Sequence, residues 1–397
     1  MIYREVPKNN DKLSSLGYGL MRLPMENGKI DDQRAKEQLF FAIDNGVNYI
    51  DTAWTYHDGD SEAFVGRVLT KAYRQKVKIV SKLPQWLCKS KKEMHYYMDK
   101  QLEKMKIQYI DYYLIHSIDG PRWEELKEIG VLEFLDEIKE QGKAINVGFS
   151  YHGNQKDFSG MVDDYDWDMC QIQYNILDEE YQAGTKGLKY AASKGMAVMI
   201  MEPLRGGMLA NNVPNEVRRI YDTGKTQRSN AEWALKWLLN QPEVTVVLSG
   251  MNEKEHIIEN LKIASETNTN SLTQEDLEIV KKAGETYRSL MKIGCTSCGY
   301  CMPCPKNVDI PNAFHLYNAY HMNDDKKRIK MLFMAQMSGA VSSQSLPSQC
   351  INCGKCTKHC PQNIEIPKQL EQVKKIFEFP FMPVVVKVWK FMNRRKK

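Results

Sequence analysis

Eight short β-rich runs alternate with longer helical stretches over roughly the first 290 residues, and few folds accept that order. The runs are 16–23 (LGYGLMRL), 48–53 (NYIDTA), 77–83 (VKIVSKL), 109–117 (YIDYYLIHS), 143–150 (KAINVGFS), 168–175 (DMCQIQYN), 196–204 (MAVMIMEPL) and 243–251 (EVTVVLSGM). Between them, DQRAKEQLFFAIDNG carries one apolar stripe through Leu39, Phe40 and Ile43 and stops at Gly46. WEELKEIGVLEFLDEIKEQG ends at Gly142, and SNAEWALKWLLNQP ends before Pro242, which cannot continue a helix. Repeated βα units build either an open doubly wound sheet or a closed (β/α)8 barrel. Eight runs in about 260 residues favour the barrel. The third, fourth and seventh runs are almost wholly apolar, as strands covered on both faces must be. The open alternative wants a glycine-rich turn opening a helix after its first strand. Here Gly17 and Gly19 lead into Leu20, Met21 and Arg22, with no third glycine.

In such a barrel the C-terminal strand ends face one cavity. This chain places Asp51 and, five residues on, Tyr56 after the second run, Lys82 at the end of the third and His116 at the end of the fourth. The fifth ends at Ser150, the sixth carries Gln171 and Asn175, and Glu202 and Arg205 follow the seventh. Singly, each has a plain explanation: a tyrosine packs, a lysine is solvated, a histidine is hydrogen-bonded. Together an acid, a phenol, an amine and an imidazole converge on one mouth. A phenol with a pKa near 10 is a sluggish proton donor, and a neighbouring ammonium favours its ionised form. Lys82 supplies that field, Asp51 holds Lys82 charged, and His116 orients a carbonyl oxygen that Tyr56 protonates. Such a site reduces carbonyls if a hydride donor lies opposite. Trp54, His57 and Trp86 are candidate walls.

DTAWTY, SKL and LIHS, in this order and spacing, resemble the aldo-keto reductases, a (β/α)8 family of nicotinamide-dependent oxidoreductases. The resemblance covers about residues 1–290 and matches the family's Asp, Tyr, Lys and His at Asp51, Tyr56, Lys82 and His116. It implies that Ser150 and Gln171 hold the nicotinamide carboxamide. It places Leu204, Gly206, Gly207 and Met208 over the pyrophosphate, and Ser249, Gly250, His256 and Asn260 at the adenosine 2′-phosphate. Tyr151 stands where the family commonly has Asn. The basic residue near the 2′-phosphate is His256, with no Lys or Arg at Ser249 or Gly250 and Lys254 on another phase, so NADP(H) and NAD(H) both stay open. Segment 211–228, polar and turn-rich, reads as a lid over the pyrophosphate or as a connector.

The remaining quarter or so is set apart by cysteine. Of ten cysteines only Cys88 and Cys170 precede residue 295, and both read as small buried hydrophobes. CTSCGYCMPCPKNVDIP and CINCGKCTKHCPQNIEIP follow, and their tails repeat: Cys-Pro-(Lys/Gln)-Asn-(Val/Ile)-(Asp/Glu)-Ile-Pro begins at Cys304 and again at Cys360. Two zinc ions are the competing reading, but zinc sites usually use two separated pairs of ligands. Three thiolates at Cys-x2-Cys-x2-Cys with a distant Cys-Pro resemble the bacterial two-cluster ferredoxin, in which the fourth cysteine ligates the other cluster. That resemblance implies two 4Fe–4S clusters. One takes Cys295, Cys298, Cys301 and Cys360; the other takes Cys350, Cys353, Cys356 and Cys304. The insert 306–349 should contain a helix near 312–338, and TQEDLEIVKKAGETYRSL should be a helix capped by Thr273 and Asp276.

Composition excludes other classes. With 42% hydrophobic and 26% charged residues the chain is an ordinary globular one, and a net charge of +5 is too small for a nucleic-acid binder. MIYREVPKNN is no charged-then-apolar leader, and reduced thiols suit the cytoplasm, so a cytoplasmic protein is expected. The tail FPFMPVVVKVWKFMNRRKK carries Lys387, Lys390, Arg394, Arg395, Lys396 and Lys397. It reads as an element packed on the barrel with a basic end, or as a contact to an anionic membrane surface or an acidic partner. The whole reads as a barrel over 1–290, acting on a small carbonyl or alcohol, joined to a mainly helical ferredoxin-like domain over 291–397. The clusters carry electrons or sense redox state, with a flavoprotein or a ferredoxin as partner. The rival reading is an electron-transfer subunit whose barrel is only a docking scaffold.

Overall fold

The computed structural model describes residues 1–211, 213–322, 325–339, 343–382 and 386, so the basic residues of the tail lie outside the described residues. The chain forms two compact units, Met1–Leu204 with Ala231–Val280, and Arg205–Asn230 with Lys281–Lys397. The first is a closed barrel of eight parallel strands: β1 (Leu16–Gly19), β2 (Tyr49–Asp51), β3 (Lys78–Leu83), β4 (Ile110–Ile118), β5 (Ala144–Tyr151), β6 (Met169–Gln173), β7 (Ala197–Met201) and β8 (Val246–Ser249). Sequence neighbours pair all the way round, and β8 closes on β1 through Ser249 opposite Tyr18.

The two-residue period of a strand sorts these residues into an inside and an outside. Tyr49, Val80, Tyr112, Leu114, Met169, Ala197, Met199, Val246 and Leu248 fill the interior. The alternate positions Ile50, Ile79, Tyr113, Ile115, Val147, Phe149, Cys170, Ile172, Val198, Ile200 and Val247 face the helices. Each such buried side chain contributes about 1.5–3 kcal/mol. Two steps beyond the apolar interior layer, the same parity puts Asp51, Lys82, His116, Ser150 and Gln171 on the inner face. At the other end a hairpin, Tyr3–Glu5 with Lys12–Ser14, brings Val6 and Leu13 into the interior. Strands of three residues are too short to show alternation, and the sequence reading passed over this hairpin.

The helices obey their caps. Asp31 accepts from the Arg34 amide ahead of helix Asp32–Asp44, and Ser90 does so from Glu93 ahead of Lys91–Met105. Thr273 and Asp276 exchange hydrogen bonds at 3.2 and 3.1 Å, the expected capping box of helix Gln274–Leu290.

The second unit is mainly helical. The stretch expected to hold one helix holds two, Ile310–Met322 and Lys326–Met337, joined by Ile366–Phe377. The polar run NDDKKR (323–328) in the sequence marks the division, Asp325 caps the second helix by accepting from the Arg328 amide, and both helices bury residues in one core. Phe333 stacks on Phe377 at 4.4 Å, with Phe314, Ile329, Leu370 and Val373 around them. The polar segment 211–228 contains a helix, Asn215–Tyr221, whose Val217 and Tyr221 are buried. Among the described residues no helix is long and apolar enough to cross a membrane.

Two glycines test this packing in opposite directions. A Cβ at Gly148 on β5 would lie 2.4 Å from the Met169 carbonyl oxygen and 2.7 Å from its side chain, whereas one at Gly160, in helix Gln155–Asp163, would meet nothing within 4 Å. Gly148→Ala should destabilise the barrel by about 1–3 kcal/mol. Gly160→Ala should stabilise it by about 0.5–1 kcal/mol. Denaturant unfolding followed by tryptophan fluorescence measures both.

Candidate active site and cysteine centre

At the C-terminal mouth of the barrel the expected four residues meet. The Lys82 ammonium donates to Asp51 Oδ1 at 2.7 Å, to the Thr52 carbonyl at 2.9 Å and to the Tyr56 hydroxyl at 3.3 Å. Lys82 is 0% exposed and Asp51 3%, so this is an ion pair removed from water. Burial draws the Lys82 pKa down and pushes that of Asp51 up, and each partner opposes the other's shift. Behind the strand, Glu62 is also buried, accepts from the Ser81 hydroxyl at 2.7 Å and adds a field that favours the charged lysine. Gln101 ties Glu62 and Ser81 to the Lys82 carbonyl, so β3 is held on both faces.

Tyr56 is 8% exposed, at the start of a turn in which His57, Asp58 and Gly59 all take positive φ. Such a run is costly for non-glycine residues and marks a loop whose shape is imposed from outside. His57 receives the Leu23 amide at 3.1 Å, which fixes that loop; it is a strut more than a wall. Trp54 is engaged elsewhere, with Lys104 3.4 Å above its ring. Trp86 is 39% exposed and its ring lies 5.2 Å from that of His116. His116 itself stands edge-on to Tyr56 at 6.1 Å. Burial first, then the Lys82 charge, drives the His116 pKa well below the ordinary imidazole value, so the ring is neutral at pH 7.

Ser150 and Gln171 are register partners on β5 and β6. The Ser150 hydroxyl accepts from the Ser117 amide at 2.7 Å, and Ser117 has a positive φ directly after His116. The Gln171 amide nitrogen faces Met201 Sδ at 3.7 Å, while its buried carbonyl oxygen has no protein partner among the described residues. An orphaned buried acceptor is costly, and a carboxamide N–H donor would satisfy it. Asn260 donates to the Ser249 hydroxyl at 3.1 Å, and both are buried. His256 is half-buried on the same helix, Lys254–Glu266. The sequence reading missed Arg22. The Cβ, Cγ and Cδ of its side chain, in the turn Leu20–Arg22 that follows β1, lie 3.2–3.3 Å from where a Cβ at Gly250 would be, so its stem packs against this corner. No local spacing could have revealed that approach.

The second unit holds the rest. Leu204 is the last residue of the first unit, and the glycine turn begins the second: Arg205, Gly206 and Gly207 all have positive φ, and the Met208 amide bonds back to the Arg205 carbonyl at 3.2 Å. Buried Arg205 donates to the Gly294 carbonyl at 3.2 Å, one residue before Cys295. Asn318 clamps the same entry, accepting from the Lys292 and Ile293 amides and donating to the Ile293 carbonyl.

The cysteine repeat is a structural repeat. The Ser297 amide points at Cys295 Sγ (3.3 Å) and the Asn352 amide at Cys350 Sγ (3.4 Å). Asn307 and Asn363 both have positive φ and bond back to Cys304 and Cys360 at 2.9 and 3.0 Å, and each copy then opens a helix with proline in its first turn. Cys360 lies within electrostatic reach of Cys295 and Cys301, raising both thiols beyond what burial does. Cys301, Cys304, Cys350, Cys353 and Cys356 line one cavity. Among the described residues no three His, Cys, Asp or Glu side chains converge on a single ion. Amide N–H groups aimed at sulfur suit an anionic cluster. Cys88 and Cys170 are buried, and burial pushes the Cys88 thiol up to about 12.

The pattern of the aldo/keto reductase family matches residues 15–285, and that of the 4Fe-4S dicluster domain matches 294–365. An NADH-specific methylglyoxal reductase of Escherichia coli is 25% identical over 300 residues, 63% of this chain and 89% of that protein. An L-glyceraldehyde 3-phosphate reductase of Escherichia coli is 25% identical over 327 residues, 70% of this chain and 92% of that one. Among solved structures, an aldo-keto reductase from Bacillus halodurans in its holo form superposes with a TM-score of 0.60 at 23% identity, over 71% of this chain and 96% of its own. One from Klebsiella pneumoniae in complex with NADPH gives 0.57 at 23%, over 71% and 95%. With the barrel, its mouth and these matches together, the chain belongs to the aldo/keto reductase family and carries a 4Fe-4S dicluster-type domain C-terminal to the barrel.

Proposed function

We propose that the barrel reduces a small aldehyde or ketone to an alcohol, and that Asp51, Tyr56, Lys82 and His116 are its catalytic group. The single observation that carries this is the Lys82 ammonium, fully buried, within hydrogen-bond reach of both Asp51 and Tyr56. A bound nicotinamide supplies hydride to the carbonyl carbon. Ser150 and Gln171 hold its carboxamide, with the orphaned Gln171 oxygen taking the amide N–H. Leu204, Gly206, Gly207 and Met208 cover the pyrophosphate. Ser249, Gly250, His256 and Asn260 take the adenosine end, where Arg22 and His256 are the cations available to a 2′-phosphate of NADP(H); NAD(H) needs neither.

As the carbonyl oxygen gains charge, Tyr56 gives it a proton, and the Lys82 ammonium stabilises the phenolate left behind. Neutral His116 donates one hydrogen bond to the same oxygen and orients it. Trp86 borders the substrate. The names of the relatives, methylglyoxal reductase and glyceraldehyde 3-phosphate reductase, favour a short polar aldehyde. In the C-terminal domain, Cys295, Cys298, Cys301 and Cys360 hold one 4Fe–4S cluster, and Cys304, Cys350, Cys353 and Cys356 hold the other. The thiol neighbourhoods support that crossing. Such clusters store single electrons, and we read them as carriers exchanging with a ferredoxin-type partner.

Tyr56→Phe should lower kcat for methylglyoxal at least a hundredfold, in line with loss of a general acid, and leave nicotinamide affinity unchanged. Lys82→Met should be equally inactive and also cost about 3–5 kcal/mol of stability, because it strands Asp51. Adding Asp51→Asn should restore much of the stability and none of the turnover. Unchanged turnover in Tyr56→Phe would overturn the assignment.

A neutral buried imidazole contributes stability that is complete above the unfolded histidine pKa of about 6.5 and is lost as pH falls below it. His116 behaves so, and burial draws His152 down to about 4. Barrel stability should therefore decline from about pH 6.5 toward about pH 4, while carbonyl reduction shows no His116 inflection near 6.5. Denaturation at stepped pH and the kcat profile check the two halves.

A further inference from the structure

The cysteine set that includes Cys353 opens toward solvent. Its cavity is lined by Cys304, Cys350, Cys353 and Cys356 together with Lys306, Lys355 and His359, and among the described residues no carboxylate lines it. Cys353 is exposed, whereas Cys295 and the other ligands are half-buried. Lys306, Lys355 and Lys358 are exposed, and Lys358 ends the short helix that Lys355 begins. No ion pair among the described residues engages these three. The carboxylates on the same loops are occupied: Glu365 pairs with Lys368 at 2.9 Å, and Asp309 accepts from the Asn312 amide at 3.3 Å. The same cavity is lined by the exposed apolar residues Ile351 (58%) and Met302 (38%).

A positive ring around an exposed apolar patch is the form of a short-lived, electrostatically steered interface. Weak redox encounters use little area, and this rim supplies both the charge and the contact. We propose that it is the docking surface for a small acidic one-electron carrier protein, and that the centre held by Cys304, Cys350, Cys353 and Cys356 is where electrons leave or enter the chain. This rests on the reading that the clusters move electrons. At each encounter the reduced cluster loses one electron and the carrier's oxidised centre gains it; no bond is made or broken and no proton moves. Cys301 of the other set lines the same cavity.

The competing account is that the lysines only offset the charge of the clusters. The test uses the anaerobic holoenzyme with Lys306→Glu, Lys355→Glu and Lys358→Glu combined, and the matching triple Gln variant should the Glu form lose iron. The probes are an acidic 2Fe–2S ferredoxin and, as the charge control, basic cytochrome c. Calorimetric affinity for oxidised ferredoxin should fall about tenfold or more in the variant and also with rising ionic strength. Electron exchange from the dithionite-reduced enzyme to ferredoxin should slow in step, while exchange with cytochrome c holds or quickens. Midpoint potentials should stay put. Equal ferredoxin affinity in both proteins, or an equal loss with both carriers, would overturn the docking surface. Clusters that take no electron from dithionite would overturn the electron-transfer reading along with it.

Discussion

A charged lysine with no exposed surface is tolerable only if something holds its charge, and here Asp51 does so at 2.7 Å. Pairs of this kind roughly break even in stability, since desolvation consumes what Coulomb attraction returns. Such a pair is therefore a costly way to fill a barrel and a good way to build a fixed field. The geometry of the mouth follows from it. Lys82 comes from the inner face of β3, Asp51 from the end of β2, and the Tyr56 turn is shaped to bring a phenol to the remaining proton of the ammonium. Glu62, Ser81 and Gln101 brace the same strand from outside. His116 lies close enough to feel the lysine and is kept neutral.

The roles proposed for the two parts of the chain use electrons in different units. A nicotinamide moves two electrons as a hydride, and a cluster moves one. No flavin motif accompanies them in the sequence to convert one into the other. Each half can still be understood by its own chemistry. In the proposed reaction the barrel would exclude water and fix a dipole toward a developing alkoxide. The two cysteine runs repeat the same amide-to-sulfur contact, at 3.3 and 3.4 Å, giving both runs a common frame. What differs is access: Arg205 and Asn318 close in on the approach to Cys295, while Cys353 lies in the open.

Much of this was legible because it is local. Strand alternation and apolar continuity expose a βα barrel, and polar residues at strand ends stand out against that background. The cysteine spacing and its repeated tail are equally local, and the two tails fold alike. What escaped depends on tertiary contact or on short elements. The hairpin Tyr3–Glu5 with Lys12–Ser14 is too brief to show a period. Helix Asn215–Tyr221 sits in a polar stretch and is recognised only by the burial of Val217 and Tyr221. Arg22 follows β1 and packs against Gly250 at the end of the adjacent β8, a pairing of first strand with last that neither segment alone would suggest. His57 looked like a wall, and its bond to the Leu23 amide makes it a brace.

If the Lys82 field turns Tyr56 into the proton donor, the proton and the hydride must move in the same chemical step or in tightly linked ones. Single-turnover nicotinamide oxidation by methylglyoxal, followed in H2O and in D2O with unlabelled and 4-deuterated nicotinamide, reports on both at once. The account predicts a solvent isotope effect on the hydride-transfer phase of the native enzyme that disappears when position 56 lacks its hydroxyl. A solvent effect of the same size in both proteins would contradict it.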